Sequence, residues 1–167
     1  MVEEDEPIVI KPPHSINSKV SIGGAGAVDL EALKRAEEVI AGMSGNYLEW
    51  VEEDLVKIQK AFDALKSGKP EDHKHLLDQI FRVAHDIKGQ GGSFDYGMMT
   101  ILGNGLCRFV EQTQTVGSSE FQVIQLYIDT MKLVISKRMS GDGGKEGEQV
   151  LRGLDMVVAK TANKQAV

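Results

Sequence analysis

A chain of 167 residues, 41% hydrophobic and 26% charged, has the size and composition of one globular domain with tails. Five phenylalanines, three tyrosines and one tryptophan on a chain of net charge −6 exclude the basic, base-stacking surface that a nucleic-acid binder needs. A single cysteine, Cys107, excludes a disulfide framework and any multi-cysteine zinc site. The chain begins Met1-Val2-Glu3-Glu4-Asp5-Glu6, without the basic start of a secretory leader, and no apolar run is long enough to cross a bilayer. The expected location is the cytoplasm, with no membrane partner.

Residues 1–27 read as a flexible N-terminal segment: acidic at first, interrupted by Pro12-Pro13, and closed by Gly23-Gly24-Ala25-Gly26. Ile8-Val9-Ile10 could add a short extended piece. Beyond residue 14 the only proline is Pro70, which permits long helices on either side of it. A leading amphipathic helix over 29–43 presents Leu33, Ala36, Ile40 and Met43. Then Leu48, Val51, Leu55, Ile58, Phe62 and Leu65 recur at alternating steps of three and four. Leu77, Ile80, Ala84 and Ile87 repeat that spacing, as do Met99, Leu102, Leu106 and Phe109, and finally Phe121, Ile124, Ile128, Met131 and Ile135. Asn46 with Glu49 suits a capping box for the first of these helices. Ser67-Gly68 suits its end, Pro70 the first turn of the next, Ser93 or Asp95 the cap of the third, and Ser118 the cap of the fourth. The run Ser140-Gly141-Asp142-Gly143-Gly144 closes the set, and Val150, Leu154 and Val157 mark one more helix. No segment alternates with period two. The expected fold is all-α: an antiparallel four-helix bundle over 28–140 that includes the leading helix, with additional short helices at both ends and a C-terminal helical extension over 141–167.

One segment does not read as scaffold. Residues 81–97 carry Gly89, Gly91 and Gly92 at the end of an amphipathic helix, where each glycine costs about 1 kcal/mol relative to alanine. At about 100° per residue, His85 falls roughly 120° from the centre of the core stripe, on the exposed flank, with Lys88, Gly89 and Gly92 on the same flank. Asp86 points too far round to be its partner. A neutral imidazole is a good nucleophile near neutral pH, a lysine three residues on can neutralise an arriving phosphoryl group, and glycines admit a partner's backbone. That set suits a phosphoryl carrier better than a hydrolase, because no nucleotide loop, metal cage or water-activating base accompanies it.

The run Ala84-His85-Asp86-Ile87-Lys88-Gly89, with Phe94 two turns on and Leu106-Cys107-Arg108-Phe109-Val110-Glu111 beyond, resembles the histidine-containing phosphotransfer (HPt) domains over roughly residues 46–139. The resemblance implies a phosphorelay intermediate of two-component signalling, without an ATP site or cofactor and not itself an enzyme. Such a protein takes a phosphoryl group from a receiver-domain aspartate and passes it to another receiver, its partners being response regulators and a hybrid sensor kinase. It makes His85 the phosphoacceptor and Lys88 the residue that steadies the charge. Gly89, Gly92, Phe81 and Phe94 become the docking face, and Gln112 or Glu111 the residue that orients the ring. The sequence departs from the family at Asp95, where a glycine is usual. A short insertion before Gly97 is the simplest sequence-level account.

Plainer readings stand beside these. His85 alone would be an ordinary surface histidine, Lys88 a helix-end cation facing free carbonyls, and Gly91 and Gly92 helix terminators. Gly103 and Gly105 either permit tight packing or fray their helix. His73 and His75, two apart, point in different directions, and the Glu-x-x-His pairs of a di-iron bundle are absent, so no metal is expected. Trp50 reads as an edge residue, Cys107 as a small buried one. Two other functions compete: a non-catalytic adaptor bundle, and the phosphoacceptor part of a sensor kinase. The latter would want an ATP-binding domain after residue 167 and Thr or Asn where Gly89 stands.

Overall fold

The computed structural model describes residues 29–164, so the N-terminal segment 1–27 lies outside the described residues. Five α-helices follow one another: α1 (Leu30–Ser67), α2 (His73–Gly91), α3 (Gly97–Gln112), α4 (Ser118–Ser136) and α5 (Gly144–Lys164). Single 3-10 turns, Pro70–Asp72 and Gly92–Phe94, precede α2 and α3. The described residues contain no strand, only one isolated bridge between Tyr96 and Gly141. No helix among them is long and apolar enough to cross a membrane.

The chain divides into two units, 1–39 and 40–167. In the first, Asp29 caps α1, its Oδ1 accepting from the amides of Glu31 (3.0 Å) and Ala32 (3.2 Å). Arg35 pairs loosely with Asp29 and Glu31 at the surface. Leu30, Leu33 and Val39 are exposed. The leading helix expected over 29–43 is therefore not separate, because α1 runs unbroken through Asn46, which caps nothing. Gly42 and Gly45 lower helix propensity, but without a proline or a cap they do not stop a helix.

In the second unit the spacing read from the sequence becomes the core. Val51, Leu55, Ile58, Phe62 and Leu65 of α1 are buried in one cluster with Leu77, Ile80, Ala84 and Ile87 of α2. The same cluster takes Met99, Leu102 and Leu106 of α3 and Ile124, Ile128, Met131 and Ile135 of α4. Between α1 and α4, Phe62 meets Phe121 edge-on at 6.2 Å, and Lys132 Nζ donates to Gln59 Oε1 at 2.6 Å. From α5, Leu154 is buried and Val150, Leu151 and Val158 pack on the cluster, whereas Val157 is exposed.

The caps lie beside the expected residues. Tyr96, not Ser93 or Asp95, precedes α3, because Ser93 is spent in the 3-10 turn and Asp95 takes the left-handed conformation (φ 61°). Gly117, not Ser118, starts α4: its amide donates to Glu120 Oε2 at 2.7 Å and its carbonyl accepts from Phe121. After α4 the chain turns through Gly141 and Gly143, both at positive φ. A side chain at Gly143 would also strike Met98 Sδ.

Candidate functional site

The pairing of α2 with α3 builds the platform for His85. Gly91 lies against Tyr96 and Thr100, Gly103 against Ala84 and Lys88, and the Cys107 thiol against the Phe81 carbonyl at 3.8 Å, so the two helices run antiparallel. A Cβ placed on Gly103 would stand 2.8 Å from Ala84 O and 2.9 Å from Lys88 N and Cβ. Gly103 is therefore required for close approach and does not fray its helix. One placed on Gly91 would stand 2.9 Å from Thr100 N, Thr100 Oγ1 and Tyr96 O, which makes Gly91 a packing residue as well as the last residue of α2. Thr100 Oγ1 donates to Lys88 O at 3.1 Å and ties the end of α2 to α3.

His85 is exposed on the outer flank of this pair, as the spacing implied. Its ring stacks on Phe81, centroids 6.0 Å apart and planes inclined 26°. Among the described residues no hydrogen bond reaches either ring nitrogen. Lys88 is half-buried, its root pressed to the α3 backbone at Gly103. Three residues apart on a helix, the two side chains start about 5–6 Å from each other. Gly89 differs from Gly91 and Gly103. It is exposed, and a Cβ there would meet nothing within 4 Å beyond its own helical surroundings. Internal packing does not explain it. Gly92 is exposed too, with Thr100 Oγ1 at 3.6 Å from the Cβ position.

Two expected members of the site lie elsewhere. Phe94 does not share a face with Phe81. It stacks on Tyr47 of α1 at 4.9 Å and meets Trp50 edge-on at 6.0 Å, because the 3-10 turn carries it off the α2 flank and towards α1. Gln112, exposed at the last position of α3, is nine residues past Gly103, or about 13 Å further along the axis. There it lines a cleft with Phe109, Thr113 and Gly117, so it is not the orienting residue of the ring. Glu111 likewise faces the start of α2, in a cleft of about 770 Å³ shared with Pro70, His73 and Leu77. The short insertion expected before Gly97 is unnecessary, for Asp95 itself adopts the left-handed conformation that glycine ordinarily takes, and aspartate tolerates it better than most residues. The stacking of Phe81 on His85 was the contact missed, although the i,i+4 spacing carried its signal.

Burial raises the Cys107 thiol above its ordinary value, the nearby Lys88 charge opposing and Glu111 adding to the shift. The thiol thus sits behind α2 as a packing group. Nearer the start of α2, His75 Nε2 lies 2.9 Å from Gln79 Nε2, and among the described residues no three His, Cys, Asp or Glu side chains converge as metal ligands would.

No family model, curated protein or solved structure matches the chain.

Proposed function

We propose that this chain is a histidine phosphotransfer protein of the HPt kind, a phosphorelay intermediate that carries a phosphoryl group on His85 between receiver-domain aspartates. In this reading α1 from about Tyr47 onward, α2, α3 and α4 form an antiparallel four-helix bundle, and α5 is an addition to it. The observation that carries the reading is the exposed imidazole on a firmly packed helix, followed one turn on by a cation and by a glycine that no internal contact requires.

The chemistry is an exchange of one bond to phosphorus for another. An imidazole nitrogen lone pair attacks the phosphorus of the receiver's aspartyl phosphate. The N–P bond forms as the P–O bond to the carboxylate breaks, the aspartate leaves as carboxylate, and the proton on the other ring nitrogen passes to solvent. The return step reverses these changes onto the next receiver. Lys88 balances the dianionic phosphoryl group. Magnesium belongs to the receiver, no nucleotide takes part, and the cytoplasm is where such partners meet.

The test mixes the protein with a receiver carrying labelled phosphate and follows the label. Wild type accepts it and His85→Gln does not; equal labelling of the two removes His85 from the mechanism. Lys88→Ala keeps its helix content and changes the transfer rate or the phosphohistidine lifetime. A folded wild type that takes label from no receiver leaves the adaptor bundle as the better account.

A further inference from the structure

A nucleophile on an exposed helix loses rate whenever its side chain samples rotamers that point the reacting atom elsewhere. His85 has no hydrogen bond to limit that sampling among the described residues; what touches its ring is Phe81, one turn earlier on the same face. Phe81 is itself held. It is half-buried against the hydrophobic core, forms one wall of the cleft with Leu77, Val110 and Val116, and its carbonyl oxygen lies under the Cys107 thiol of α3. The imidazole thus lies beside a half-buried aromatic ring, centroids 6.0 Å apart, on a residue that is otherwise exposed. Both nitrogens sit on the ring's edge, which a stacked neighbour leaves uncovered.

From this geometry we infer that Phe81 is a positioning residue for His85: by stacking, it confines the imidazole to rotamers that present the nitrogens to an incoming phosphoryl group. This role rests on His85 being the phosphoacceptor. It replaces the hydrogen-bonding side chain expected from α3, since Gln112 stands too far along that helix.

Docking and positioning separate when the donor is too small to dock. Phosphoramidate serves: the His85 nitrogen forms its bond to phosphorus as the donor's N–P bond breaks, and ammonia leaves with the proton the ring gives up. Two variants bracket the contact, Phe81→Leu, which keeps an apolar wall without a ring, and Phe81→Tyr, which keeps the ring. In wild type the Phe81 ring current displaces the His85 ring-proton resonances from their unstacked values. In Phe81→Leu they relax towards unstacked values and the phosphoramidate rate falls about two- to tenfold, the size of one aromatic pair; Phe81→Tyr restores both. Unchanged resonances in Phe81→Leu, or a phosphoramidate rate equal to wild type while receiver-driven transfer alone weakens, overturns the positioning role and leaves Phe81 a docking residue. A wild type phosphorylated by neither donor sinks the phosphorelay reading instead.

Discussion

Gly89→Ala sets stability against function in opposite directions. Gly89 lies two residues before the end of α2, with helical backbone and open space where a methyl group would go. Alanine exceeds glycine by about 1 kcal/mol in a helix interior, and near the last turn about 0.5–1 kcal/mol of that survives. For a unit of this size, such a gain raises the melting temperature by about 2–4 °C. If a receiver's backbone packs on the bare turn, the same methyl overfills the contact by about 1–2 kcal/mol, a loss of roughly five- to thirtyfold in docking. Thermal melts followed by circular dichroism measure the first effect, and transfer rates at rising receiver concentration measure the second. The variant melts higher and needs more receiver to reach the same rate. Gly89→Leu widens the functional loss without lowering the melt much. Transfer at wild-type receiver concentrations from both variants would falsify the idea that this turn is kept bare for a partner, and a lowered melt in Gly89→Ala contradicts the open geometry itself.

Other substitutions test the packing. Gly103→Ala drives a methyl into the backbone of α2 and lowers stability by about 1–3 kcal/mol in denaturant titration. Gly105→Ala meets a side chain instead of backbone, the Tyr127 hydroxyl at 2.7 Å and ring carbon Cε1 at 2.9 Å, and costs less to the extent that the ring shifts; a loss larger than that of Gly103→Ala would mean that the α2–α3 backbone contact is not the tighter of the two. Tyr47→Phe removes a fully buried hydroxyl with no partner among the described residues and leaves the protein as stable or more so, by up to about 1 kcal/mol. Burial holds the Tyr47 phenol above its ordinary value, helped by Tyr96 and Asp54, so the folded state keeps this proton longer than the unfolded chain. Stability is therefore unaffected by this group below about pH 10 and falls above it, a decline that Tyr47→Phe reduces. With burial keeping its thiol protonated, Cys107 reacts with a thiol reagent at neutral pH far more slowly in the native protein than in urea; comparable rates would place it at the surface.

The apolar stripes were legible because helical burial repeats at a spacing that composition cannot hide. Leu77, Ile80, Ala84 and Ile87 appear in the core as they appear in the sequence. His85 was legible for the complementary reason, as the residue the stripe leaves outside. What escaped were boundaries and cross-helix levels. Asn46-x-x-Glu49 has the chemistry of a cap, but the chain around it had no reason to leave the helix. Phe94 was extrapolated with α-helical spacing through three residues that form a 3-10 turn, which sends its ring to Tyr47. Gln112 failed because the level at which α3 passes His85 is set by where Gly103 and Thr100 touch α2. That is a property of two segments together, carried by neither alone.

Gly89, Gly91 and Gly103 are chemically identical yet answer to different pressures. Two are demanded by the molecule's own interior and would persist in any descendant that still folds. The third is dispensable to the fold and would be retained only while something outside presses on that turn. A lineage in which nothing pressed on that turn would show it there first, by letting a side chain grow where the surface had been left empty.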